Sequence, residues 1–145
     1  MAFEQGPYVE LACFCERVLQ EKDNVLSVIR VINRVTQTAA GPEAPAEMPP
    51  FTYRLSAVIA VRSGQARGRH EVKIVRELPS GVKDTERAPV FTVHLTGQDQ
   101  GHNIVINMET PFDQEGVYWF DVLFDDQLLT RMPLRVSYTR MIPGA

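Results

Sequence analysis

Residues 116–138 read GVYWFDVLFDDQLLTRMPLRVSY, and this stretch decides the fold. Tyr118, Phe120, Val122 and Phe124 recur at every second position. Leu128, Thr130, Met132, Leu134, Val136 and Tyr138 do the same. Side chains two apart share one face of a strand, whereas a helical face repeats every three to four residues. Asp125-Asp126-Gln127 between the two runs is short, polar turn chemistry. The stretch therefore predicts a hairpin with one apolar face. Pro133 has no amide hydrogen for a ladder, so the last strand is expected to be an edge there or to carry a bulge.

The same alternation extends towards the N-terminus. It places Phe91, Val93 and Leu95 inward, then Ile104, Ile106 and Met108. Over 69–78 it places Val72, Ile74 and Leu78 inward, and over 51–62 Tyr53, Leu55, Ala57, Ile59 and Val61. The loops between these runs carry Gly64 and Gly68, Pro79-Ser80-Gly81, and Gly97 to Gly101. Tyr8 to Arg17 would line one face with Val9, Leu11, Cys13 and Cys15. A helix over Leu11 to Gln20 is the rival reading of that segment, since ERVLQEK holds good helix formers. Glu21 to Asn24 turns the chain into Val25 to Val35, a β-branched run expected to be one central or doubly covered strand. Thr38 to Pro50 has four prolines and no periodicity, and is expected to be an irregular loop that crosses between sheets or is mobile.

These runs predict an all-β protein, an antiparallel sandwich of about eight strands. The 145 residues are expected to form a single domain, because the piece before the proline-rich loop at 38–50 is too short to bury a core alone. A net charge of -3 argues against nucleic acid as a partner. Glu4 and Glu10 fall where a signal peptide would be apolar, and no apolar run reaches the length of a membrane span, so the expected location is cytoplasmic.

Residues 114–122, QEGVYWFDV, resemble the start of the penultimate strand of immunoglobulin-like sandwiches. There a glycine two before a tyrosine marks a corner whose hydroxyl bonds back to the backbone. The cysteine of antibody domains is Phe120 here, so the resemblance is to disulfide-free members. The whole chain also resembles a family of small uncharacterised bacterial β-sandwich proteins. That likeness is carried by Ala12-Cys13-Phe14-Cys15, by Asp23-Asn24-Val25-Leu26-Ser27 before Ile29-Arg30-Val31, by Gly116 to Val122, and by Leu128-Leu129-Thr130-Arg131. It implies the fold and a bacterial source, and no activity.

Catalytic chemistry finds little support. His70, His94 and His102 have no G-x-S-x-G elbow to serve, and His94 falls among outward threonines. Cys13, Cys15, His94, His102 and Asp99 include only one cysteine pair, which is weak for zinc, and the cysteines read better as core. Asp121, Asp125 and Asp126 are candidate calcium ligands, though Asp125 and Asp126 are more simply turn formers. Arg62, Arg67, Arg69, His70, Lys73 and Arg76 gather charge without interleaved aromatics, which suits a solvated hairpin better than a nucleic-acid site. No cofactor is expected.

The most informative oddity is Trp119. If Tyr118, Phe120, Val122 and Phe124 face the core, then Val117, Trp119, Asp121 and Leu123 face outward as an apolar stripe. Outward Leu129, Arg131 and Arg135 would extend it; the rival readings are that the 38–50 loop covers Trp119 or that a bulge inverts the faces. The leading expectation is therefore a non-enzymatic interaction or assembly module, binding a protein partner or itself through Val117, Trp119, Leu123, Leu129 and Arg131. The alternative is a C2-like sandwich that binds calcium or another ligand through its loop tips.

Overall fold

The computed structural model describes residues 3–141. Ten strands follow in order: β1 (Tyr8–Gln20), β2 (Leu26–Ile32), β3 (Arg34–Ala40), β4 (Phe51–Arg62), β5 (Arg67–Glu77), β6 (Lys83–Asp84), β7 (Val90–Thr96), β8 (Gly101–Phe112), β9 (Gly116–Phe124) and β10 (Gln127–Met141). They form two sheets. One has the order β2-β1-β4-β8; the other has β3-β10-β9-β5-β6, with β7 also on β5. Leu11 to Gln20 is strand, so the rival helix is not formed.

The core lies between the sheets. Leu55, Ala57, Ile59 and Val61 of β4 meet Tyr118, Phe120, Val122 and Phe124 of β9, with Met132, Leu134 and Val136 of β10 beside them. All the β5, β7 and β8 residues expected inward belong to this cluster or pack against it. Tyr53 does not: it is 37% exposed, although Phe51 before it on the same parity packs against the core.

The predicted count of eight falls short because one run was two strands and a two-residue strand was missed. Residues 25–35 are not one central strand. β2 pairs with β1 as an edge of the four-stranded sheet. After Asn33 the chain enters the other sheet, where β3 runs parallel to β10. The Asn33 carbonyl accepts from the Arg135 amide at that crossing. Apolar residues on both faces of such a run reflect two sheets used in succession. The proline-rich segment, in turn, begins only after Ala40 and carries the chain back to the four-stranded sheet. It is anchored by buried Ala44 and Met48, and its Pro45 carbonyl accepts from the Tyr138 hydroxyl at 2.7 Å.

Two bulges re-aim side chains, because one inserted residue reverses alternation. The β1–β4 register shifts between Val9 and Leu11. Val9, Ala12 and Phe14 consequently pack on the core, while Cys13 and Cys15 turn to the opposite face. The expected single face of Val9, Leu11, Cys13 and Cys15 is thereby corrected. The β9–β10 register shifts between Leu128 and Thr130. Leu129 packs against the core, and Leu128 is 50% exposed opposite Leu123. Leu129 is thus removed from the outward stripe. Pro133 sits where β10 pairs with β9 alone, since β3 joins only from Arg135 onward. Its missing amide costs no ladder bond there.

Among the described residues no helix is long and apolar enough to cross a membrane.

Candidate functional site

β9 is central in its sheet, which places Trp119 and Asp121 in rows with their neighbours. Glu77, Trp119 and Pro133 form one row, and Val75, Asp121 and Arg131 the next. Trp119 is half-buried, and the Arg131 guanidinium lies 4.5 Å above its ring centroid. Arg131 donates from Nε to Asp121 Oδ1 at 2.6 Å and from Nη2 to Glu77 Oε2 at 3.0 Å. The Asp121 carboxylate, with Glu77 behind it, holds the Arg131 guanidinium above its ordinary value. Val117, Trp119 and Leu123 share this outer face with Arg131, as the alternation predicts. The ring of Trp119 is therefore stacked beneath an ion-paired arginine, a cation–π arrangement.

The opposite side of the molecule holds a surface that sequence reasoning missed. On the outer face of the four-stranded sheet, Cys13 pairs across to Val58 and on to Val105. Cys15 lies between Val31 and Ser56 in the adjoining row. Cys15 and Val58 are completely buried, as a floor. Around them Leu11 is 40% exposed, Ile29 37%, Val31 64% and Val105 39%. Ser56 donates to Asn107 Oδ1 at 2.6 Å and so joins the face without leaving a bare hydroxyl. One sequence signal was available: residues 55–61, LSAVIAV, carry apolar groups at both parities, which marks a strand covered on both sides. Burial pushes both thiols up, Cys15 further helped by the charge of Cys13, so they stay protonated and poorly nucleophilic.

The other candidates disperse. Arg62 pairs with Asp99 and Glu10, and Arg76 turns inward beneath the Pro111 carbonyl, so the basic segment 62–76 does not form one patch. The three aspartates separate as well. Asp121 is taken by Arg131, and Asp125 accepts from the Glu71 amide and contacts His70 Nδ1 at 2.6 Å. Among the described residues no group of three His, Cys, Asp or Glu side chains is placed to hold a metal. His70 also has Nε2 at 2.5 Å from the Arg67 carbonyl and its ring 4.7 Å from that of Phe124. This clamp ties the β9–β10 turn to β5.

Asp125 gives a pH prediction. The Glu71 amide and then His70 hold its carboxyl below the usual carboxylate range. A depressed folded value contributes stability that is present above the unfolded value of about 4 and is lost as pH falls through the folded one. The melting midpoint of wild type should exceed that of Asp125→Asn at pH 7, and the gap should close as pH is lowered below about 4. A gap independent of pH between 7 and 2.5, on scanning calorimetry, would mean that the Asp125 charge contributes nothing.

A family model, described as a family of unknown function (DUF6941), matches residues 10–137. No curated protein matches the sequence. Among solved structures, the chain is similar to the Pseudomonas fluorescens alkylpurine DNA glycosylase AlkC bound to DNA containing an abasic site analog. That likeness has 13% identity and a TM-score of 0.45, over 72% of this chain and 27% of that one. It is also similar to a beta-glucosidase from Listeria innocua, with 7% identity and a TM-score of 0.45, over 90% of this chain and 16% of that one. The chain thus spans well under a third of the length of either enzyme.

Proposed function

We propose that this chain, which belongs to the family of unknown function DUF6941, is a non-enzymatic module that self-associates through the outer face of its four-stranded sheet. The observation that carries the reading is the sharing of one face by exposed Leu11, Ile29, Val31 and Val105 over buried Cys15 and Val58. Exposed apolar surface costs about 25 cal/mol per Å² to keep in water. Contiguous apolar patches on a soluble surface mark interaction sites. The surface is a sheet face whose β4–β8 register is unbroken over its whole length. Another sheet face packs on such a surface at about 10 Å, and a second copy brings the same stripe by a two-fold axis. Arg54 beside Glu109 at one end supplies a polar rim.

We infer that the two sheets form an immunoglobulin-like sandwich. One feature supports this. The Tyr118 hydroxyl accepts from the Asp113 and Gln114 amides at 3.3 and 3.1 Å, the bonding of a tyrosine corner. A non-enzymatic role is supported by protonated thiols and by aspartates already engaged with Arg131 and His70.

The second reading is the Trp119 face, favoured by the stacked Trp119–Arg131 pair, since tryptophan and arginine dominate interface hot spots. Light scattering with circular dichroism separates the two. Wild type is expected to be a dimer at micromolar concentration. The double variant Val31→Glu, Val105→Glu should be a folded monomer, with association weakened at least about a hundredfold by burying two carboxylates. Trp119→Ala should remain a dimer. A folded monomeric Trp119→Ala moves the interface to the other sheet, and a monomeric wild type at 100-fold higher concentration (about 0.1 mM) sinks self-association altogether.

A further inference from the structure

The flank where β8 faces β6 and β7 is not closed by hydrogen bonding between the sheets, since β8 ends one sheet and β6 and β7 end the other. A pocket of about 360 Å³ opens there. That is within the range of small-molecule sites, about 300–1,000 Å³. Its walls include Ile74 of β5, Phe120 of β9, and Ile106 and Met108 of β8. Ala88 and Pro89 of the β6–β7 connection form another side.

One residue breaks the apolar lining. Inward positions on β5 run Val72, Ile74, Arg76, so a guanidinium stands where alternation asks for a hydrocarbon. The Arg76 side chain is only 19% exposed. A guanidinium has five N–H donors. Arg76 donates from Nη1 to the Pro111 carbonyl at 2.6 Å and lies 5.6 Å from the Tyr118 ring centroid. Its counter-ion is loose: Asp84 Oδ2 is 3.7 Å from Nη2, outside hydrogen-bond reach. A cation withdrawn from water with so few partners is costly to fold around and is ready for an anion that can accept two parallel bonds. Arg87 also lines the pocket, as do Asp84 and Glu109. Two arginines against two carboxylates leave the lining formally neutral, which admits one negative charge at Arg76 and disfavours a dianion.

We infer that this pocket binds a small monocarboxylate with an apolar body, its carboxylate on the Arg76 guanidinium and its body against Ile74, Ile106, Met108 and Phe120. This site shares only Glu109, at its margin, with the sheet face proposed for self-association, and neither the Arg76 guanidinium nor the apolar lining belongs to that face, so either can stand alone.

Three probes with one body test it: hexanoate, hexanol and hexylammonium, each titrated by calorimetry and by methyl NMR of Ile and Met. Hexanoate should bind wild type at least about tenfold more tightly than hexanol, with shifts at Ile106 and Met108, and hexylammonium more weakly than either. Arg76→Met should erase the preference for hexanoate over hexanol. Met108→Trp fills the place of the body without touching the guanidinium, so it should abolish hexanoate binding even if Arg76→Met fails to fold. The inference is overturned by any of these results: hexylammonium binding as tightly as hexanoate, a folded Arg76→Met that still prefers hexanoate to hexanol, unchanged hexanoate binding in Met108→Trp, or no binding of hexanoate at millimolar concentration.

Discussion

Phe112→Ala is expected to be the most damaging single truncation considered, lowering stability by about 3–5 kcal/mol. Phe112 is the last residue of β8 and is completely buried. Its ring meets Tyr118 edge-on, with centroids 4.9 Å apart at 74°, and Phe51 at 5.6 Å. Truncation removes the transfer energy of the ring and leaves a cavity between two strands that cannot collapse, because β8 is held by β4 from Phe51 to Arg62. Tyr118 would also lose the ring against which its own corner is packed. For a chain of this size the change should lower the melting midpoint by roughly 10–15 °C. Phe91→Ala, at a half-buried position on β7, should cost clearly less. Equal losses at the two sites would show that the Phe112–Tyr118 contact is not the keystone of that end.

The second large effect is expected at Gly116, for backbone reasons. Its φ is +128°, a region open to glycine and closed to other residues. A Cβ there would also stand 2.9 Å from the Cβ of Pro79. Gly116→Ala should therefore lose about 2–3 kcal/mol, made of strain and of displacement of the turn after β5. The strain falls two residues before Tyr118, so the hydroxyl bonds to Asp113 and Gln114 should loosen with it. Amide exchange at those two residues is the sensitive readout. Protection unchanged there, with stability unchanged, would mean that the corner tolerates an ordinary backbone at 116.

The candidate surfaces show where period-two reading fails. Trp119, Val117 and Leu123 were legible as outward because β9 has no bulge between Gly116 and Phe124. Arg131 was legible as their neighbour, but its bond to Glu77 draws in β5, 54 residues away in sequence, which no local pattern announces. Leu129 was misplaced by a single inserted residue, and Cys13 and Cys15 by another. Nothing local announces either bulge, because each is set by what the partner strand must bury. The exposed face of Leu11, Ile29, Val31 and Val105 was hidden for a different reason: its members come from three strands whose order in the sheet is not their order in the chain.

Alternation of apolar residues, Gly116 before Tyr118, and the turn at Asp125-Asp126 were enough to determine that this protein is built from β-strands, with an antiparallel β9–β10 hairpin and its core at Tyr118, Phe120, Val122 and Phe124. Those signals are local, since side-chain parity and turn chemistry act over two to four residues. The tertiary structure alone decided that residues 26–40 serve two sheets in turn, which sheet face stays uncovered, and that Arg76 is drawn in between the sheets. These depend on strand order and register, which are settled by contacts between residues distant in sequence and by the shared need to cover one core.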